Sequence, residues 1–410
     1  MYRVWYSTES FADYIIQHTF LLHEEVVKNK LYESDANNPK KFHSMPDHIR
    51  RILYLDSPDI IVEKDMEPIF SIEVSTEAGT GHNAFQRFAR IAASVENDVP
   101  AFYIYPPAAI ITRKNSEPVW DRINPLIFKA LESVMSVYHI PALLYYFPSY
   151  YHTCPVASEA PNQNMKGLKI EKDYRFAGSP EHSDDEMQRM FEAINEINSL
   201  TQRYGVIEGR KKLLSSLVIR ERRTFMQQEF YNNDSGRVMS PITSTITVPT
   251  EYLMNYLSQY ENRSYQIGGL LQSRANTVIY RINANFRGDP YPGALAAIDY
   301  LMCREGKTYE ERRNNLVLAW GLVEPDDENH TLTITNEKNT TIHDFFDSVK
   351  SCTDKILLSK DYEELDQDMI SRYYMQVRYG STYSKVKHIR VYSYFADAIL
   401  FPDGSLWRDG

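Results

Sequence analysis

No stretch of this 410-residue chain approaches the run of about 20 apolar residues that a membrane-spanning helix needs. The opening Met-Tyr-Arg-Val-Trp-Tyr lacks the basic start and apolar core of a signal peptide. Cysteine is scarce. Cys154, Cys303 and Cys352 are widely separated and odd in number, which excludes a metal-ligand pair spacing and a disulfide framework. These absences predict a reducing, cytoplasmic setting with no membrane partner. Internal repeats and low-complexity tracts are absent as well. So is any excess of positive charge: the net charge is −10. That balance argues against indiscriminate nucleic-acid binding but permits a local basic cleft, because salt screens distant charges more than near ones.

What is present is enough apolar material for a large core, at 43% hydrophobic residues, and a length that suits two or three domains. Thirty tyrosines supply stacking area with a hydroxyl, serving either a core or a polar binding surface. The most informative stretch runs from Ser57 to Pro106. Ser-Pro-Asp-Ile-Ile-Val-Glu (57–63), a short polar turn from Lys64 to Pro68, and Ile-Phe-Ser-Ile-Glu-Val-Ser-Thr-Glu (69–77) predict a β-hairpin. Strand side chains alternate between faces, so Asp59, Ile61 and Glu63 share one face, as do Glu73, Ser75 and Glu77. Two carboxylates on adjacent strands can converge on a hard cation such as Mg²⁺, which takes oxygen ligands. A helical segment is expected over 81–96, with Phe85, Phe88, Ala89, Ala92 and Val95 apolar and Gln86, Arg87 and Arg90 interleaved. A third strand follows at 98–106, reached by this helical crossover.

Pro58-Asp59, then Glu73-Val74-Ser75 fourteen residues on, then a helix and a Val-Pro-aromatic strand (99–103), resemble the PD-(D/E)XK nuclease superfamily, in its bacterial restriction endonuclease branch. The resemblance covers about residues 10–110, and nothing comparable covers 150–410. It implies an α/β (α+β) fold: a mixed central sheet flanked by helices, extended by a large mixed C-terminal region. It also implies Mg²⁺ held by Asp59, Glu73 and the Val74 carbonyl, double-stranded DNA as substrate, and a homodimer cutting two strands. The family pattern has lysine where this chain has Ser75, which carries no positive charge. Glu77 and Gln86, with His82, are the candidates to take over that work. Lys64 has the right chemistry but the wrong strand parity for Asp59. Glu24 or Glu25, on a helix expected from about Glu9 through residue 35, can add a further acid.

The remaining chain divides into a helical connection over 151–235 and a mixed α/β recognition and dimerisation region over 236–410, after a nuclease core over 1–150. A single long charged helix is expected from about 183 to 231, and loop from 232 to 249. Ser371 to Tyr394 carries Arg372, Arg378, Lys385, Lys387 and Arg390 without an acid, interleaved with tyrosine, which suits contact with DNA phosphates or base edges. Arg287, in the loop 286–293, is a further DNA-contact candidate. An ordinary strand with a solvated basic face fits 371–394 equally. Two further functions stay open at this stage. One is a catalytically silent nuclease-fold protein that binds nucleic acid or protein, and Ser75 favours it; the other is a nuclease for RNA or branched DNA.

Overall fold

The computed structural model describes residues 1–32, 44–53, 57–75, 84, 87–111, 115–160, 180–232, 245–260, 271–281, 300, 303, 311–319, 321–335, 397–402, 404 and 406–407. The chain is an α+β protein whose contacts divide it into two compact units, with the main boundary after Arg237.

The first unit is built on a six-stranded mixed sheet of order β2-β1-β3-β4-β5-β8. Its strands are β1 (Tyr2–Tyr6), β2 (Val26–Lys30), β3 (Ile60–Lys64), β4 (Glu67–Val74), β5 (Ala101–Tyr105) and β8 (Ala142–Tyr146). A separate hairpin pairs β6 (Ala108–Ile111) with β7 (Val119–Arg122). The predicted β3–β4 hairpin is present. Its turn residues Asp65 and Met66 both take positive φ, 52° and 70°, a backbone twist that matches that of the flanking strands. β4, β5 and β8 run parallel, linked by helices α3 (Phe88–Glu96) and α4 (Leu126–Tyr138). Every residue of β5 and β8 is buried, the signature of parallel strands covered on both faces.

Alternation then divides the β4 side chains. Phe70 packs edge-on against Phe102 on one face. Ser71 and Glu73 take the other, where they meet Ser94 and Arg90 of α3. The Phe102 face is covered by α5 (Asp185–Tyr204) and α7 (Leu217–Asn232), with α6 (Val206–Leu213) between them in sequence. The first unit therefore contains the segment 151–235 that composition alone set apart as a connection.

Several expectations need correction. The N-terminal helix, α1, covers only Glu9–His18 and is followed by a 3₁₀ turn at Phe20–His23, so Val26 lies in β2 rather than on a helix. The charged stretch 183–231 is broken at Gly205, whose φ of +79° ends α5. Asp184 caps α5 by accepting from the Glu186 amide. A short α2 (Asp47–Arg50) precedes the hairpin.

The second unit holds a five-stranded sheet of order β15-β14-β11-β10-β9. It comprises β9 (Thr245–Pro249), β10 (Asn276–Arg281), β11 (Asn315–Ala319), β14 (Ala398–Leu400) and β15 (Leu406–Trp407). A hairpin of β12 (Leu322–Asp326) and β13 (Thr331–Thr335) adjoins helix α8 (Thr250–Ser258). β9 falls inside the segment expected as loop. Buried Asp397 accepts from Arg312 at 3.0 Å and from the Leu316 amide at 2.7 Å. Polar groups in this core are thus paired, as burial requires.

Candidate functional site

In the first sheet, Ser7, Asp59, Glu73 and Tyr103 form one row across four adjacent strands. Tyr6 pairs with Ile60, Ile60 with Ile72, and Glu73 with Tyr103. One step beyond the first two pairs, Ser7 stands opposite Asp59, and Asp59 opposite Glu73. Directly opposed residues point to the same face. The row lies at the carboxyl ends of β1 and β4, where ligands of such sheets gather.

Asp59 is fixed from both sides. The Ser7 hydroxyl donates to Oδ1 at 2.8 Å, and the Val74 amide donates to Oδ2 at 2.8 Å. The Ser7 amide also bonds the Asp59 carbonyl at 2.9 Å. Asp59 precedes the first residue of β3, so its side chain meets backbone donors that the β-ladder leaves over.

Glu73 is 0% exposed. Its Oε1 accepts from Arg90 Nη1 at 2.7 Å and lies 3.4 Å from Arg87 Nε. Its Oε2 has no hydrogen-bond partner among the described residues. Burial pushes the Glu73 carboxyl up to about 8; the Arg90 charge pulls it back, Asp59 pushes it further up, and Arg87 pulls it down. The site is therefore poised to exchange a proton for another cation. Beside it, the Tyr103 hydroxyl donates to the Ala84 carbonyl at 3.0 Å. Burial, then the neighbouring Tyr105 and Glu73, hold that hydroxyl well above its ordinary range.

The structure brings Asp59, Glu73 and Val74 together, through the β3–β4 register and the Val74 amide. Ser75 is buried just past β4, where its amide bonds the Ile104 carbonyl at 2.9 Å. Glu77, Gln86 and His82 lie outside the described residues. So do Arg287, Arg372, Arg378, Lys385, Lys387 and Arg390, with the whole 371–394 segment. Lys64 stacks its ammonium 5.3 Å from the Tyr2 ring, at the far end of β3. Glu24 and Glu25 are exposed and precede β2, beside Tyr2 at the opposite end of β1 from Ser7, so they do not join the acids. Glu63 shares the face of Asp59 but is held by Arg3 at 2.7 Å and His48 at 2.6 Å.

Sequence reasoning missed three contributors. Ser7 is separated from Asp59 by 52 positions, and nothing local reveals the pairing. Arg87 and Arg90 were visible on the crossover helix; the available signal was a three-residue spacing, which puts both on one helical face. Arg90 interrupts the apolar face there. Asp121 of β7 is a further acid nearby, close enough to Tyr105 to push its hydroxyl up.

No group of three or more His, Cys, Asp or Glu side chains suited to a metal occurs among the described residues. The donor set still fits a hard cation: two carboxylates in register, one of them with an unpartnered buried oxygen. Comparison of the chain with family models, curated proteins and solved structures finds no match.

Proposed function

We propose that the chain is a Mg²⁺-dependent endonuclease that hydrolyses phosphodiester bonds of double-stranded DNA in a sequence-specific manner, working as a homodimer. The observation that carries this reading is the register-paired Asp59 and Glu73 with Glu73 Oε2 unpartnered. Burying a carboxylate oxygen without a partner is costly, and a cation repays that cost. The hairpin, crossover helix and parallel strand in this order agree with the nuclease resemblance.

Asp59, Glu73 and the Val74 carbonyl are the groups to hold the ion. Mg²⁺ bound there supplies charge neutralisation at the phosphate and a bound water of lowered pKa. Ser7 and the Val74 amide hold the Asp59 carboxylate in place. Arg90 anchors Glu73 Oε1 and leaves Oε2 for the ion. The buried Tyr103 keeps its proton and walls the site.

A second reading, a catalytically silent nucleic-acid-binding module, draws on the Arg90–Glu73 ion pair, which already gives the carboxylate a cation. The two separate in one assay. Wild-type protein is incubated with supercoiled plasmid in Mg²⁺, in Ca²⁺ and in EDTA. Cleavage in Mg²⁺ alone is the expected result; binding without cutting in all three leaves the silent module.

The Ser7 contact gives a graded check. Ser7→Ala is expected to raise the Mg²⁺ concentration for half-maximal cleavage about 10–100-fold, because supporting hydrogen bonds orient ligands. An unchanged Mg²⁺ midpoint would remove Asp59 from the ligand set.

A further inference from the structure

Two arginines approach Glu73, and they are not equivalent. Arg90 is 11% exposed at its side chain and spends Nη1 on Glu73 Oε1 at 2.7 Å. Arg87 is 29% exposed, and its Nε stands 3.4 Å from the same oxygen. That Nε is buried without a hydrogen-bond partner. Among the described residues no hydrogen bond joins Arg87 to a partner, and charge holds its guanidinium beside the acid. Arg90 spends its donor on Glu73; the donors of Arg87 are unspent among those residues.

We infer that Arg87 contacts the DNA phosphodiester at the reacting centre, supplying the positive charge that Ser75 cannot. This rests on the nuclease reading of the same site. The guanidinium fork matches two phosphate oxygens at once. Arg87 reaches the row from the N-cap of α3, whereas Ser75 lies just past the end of β4, so charge arrives from the start of the helix and not from the strand. Arg87 also lies near Tyr103 and Tyr105, whose phenols its charge pulls downward against burial. Such a cation, in a largely water-excluded setting, is pre-oriented for charge that grows during phosphoryl transfer.

The test separates binding from cutting. A short duplex is titrated against wild type, Arg87→Gln and Arg87→Lys in EDTA, at several salt concentrations. Arg87→Gln should weaken binding about ten-fold and reduce the salt slope by about one counterion. Arg87→Lys should keep the slope, since a point charge still meets a phosphate. In Mg²⁺ and saturating DNA, Arg87→Gln should slow cleavage about 10²–10³-fold. Thermal unfolding controls for folding, and Arg87→Gln should melt close to wild type because Arg90 still pairs Glu73.

Wild-type affinity and slope in folded Arg87→Gln would overturn the inference. Loss of orthophosphate binding with duplex affinity unchanged would overturn it too, by assigning the cation to a free anion. The metal-free arm also keeps this inference distinct from the nuclease reading. If Asp59→Ala abolishes cutting while the Arg87→Gln slope is unchanged, the Arg87 assignment falls and the nuclease stands. If wild type never cuts in Mg²⁺ but the slope still drops, the phosphate contact stands and the nuclease falls.

Discussion

Glu73→Gln is expected to lose Mg²⁺-dependent cleavage by about 10²–10³-fold or more, the scale of removing one pre-oriented electrostatic group at a reacting centre. Glutamine keeps the shape and still offers Arg90 an acceptor, so the protein should fold. What it loses is the anionic oxygen, Oε2, that no described residue satisfies. The same substitution has a consequence for stability. The buried Glu73 carboxyl has its pKa raised from 4.5 to about 8, with burial the largest cause. Between those two values the folded chain holds a proton that the unfolded chain has released. Folding stability in the absence of metal therefore falls as pH rises across that window, by an amount on the order of a few kcal/mol. Glutamine does not titrate, so this part of the pH dependence should disappear. Urea midpoints compared between about pH 5 and pH 9 should converge toward, or favour, the variant at the alkaline end. Parallel curves for the two proteins would show that Glu73 is not buried as an acid. Near wild-type cutting by Glu73→Gln would remove the proposed metal centre.

Arg222→Ala is expected to destabilise the first unit by about 3–5 kcal/mol, the cost of leaving a buried ion-pair partner alone. Arg222 is 5% exposed. It donates to both Glu186 oxygens at 3.0 and 2.7 Å and to the Leu144 carbonyl at 2.7 Å. Its guanidinium lies 4.2 Å from the ring centroids of both Tyr145 and Phe225. Among the described residues, alanine would leave Glu186 with the Tyr146 amide and Arg189, and would take from the Leu144 carbonyl the donor that Arg222 supplies. Set against a typical total of about 5–15 kcal/mol, such a loss approaches the limit of what a domain tolerates. Chemical denaturation followed by far-UV circular dichroism measures it. A change below about 1 kcal/mol would mean that α5 and α7 do not hold the sheet. The same geometry forecasts that a chain ending at residue 150 will not remain soluble. Met187, Met190, Phe191, Ile194 and Ile197 of α5 are all buried, and the surfaces they cover would be laid bare.

The hairpin, the crossover helix and the parallel strand after it were legible in the sequence because each rests on local chemistry. β-branched runs, a short polar turn and helical spacing depend only on near neighbours. Strand parity alone grouped Asp59 with Glu63, and Glu73 with Ser75 and Glu77, each within its own strand, since a period of two needs no tertiary information. It also set Lys64 apart from the acids. The register that makes the acids direct neighbours was beyond reach, because it depends on the turn at Asp65 and Met66 and on a bulge at Val62/Glu63. β2 was invisible as a strand: it lies at the sheet edge, partly exposed along its length, and so carries no alternation. The break at Gly205 was similarly concealed, because its positive φ is a property of the folded backbone.

Local pattern thus determined the hairpin and marked the two acids, and the resemblance they carry pointed to the α+β class. Tertiary structure alone decided what surrounds those acids. Ser7 reaches Asp59 from just past β1, and Arg87 and Arg90 reach Glu73 from the N-cap and first turn of α3, through contacts between segments that the chain order keeps apart. The protonation preference of Glu73 follows from the same cause, because burial is conferred by packing and no carboxylate carries it in its own sequence.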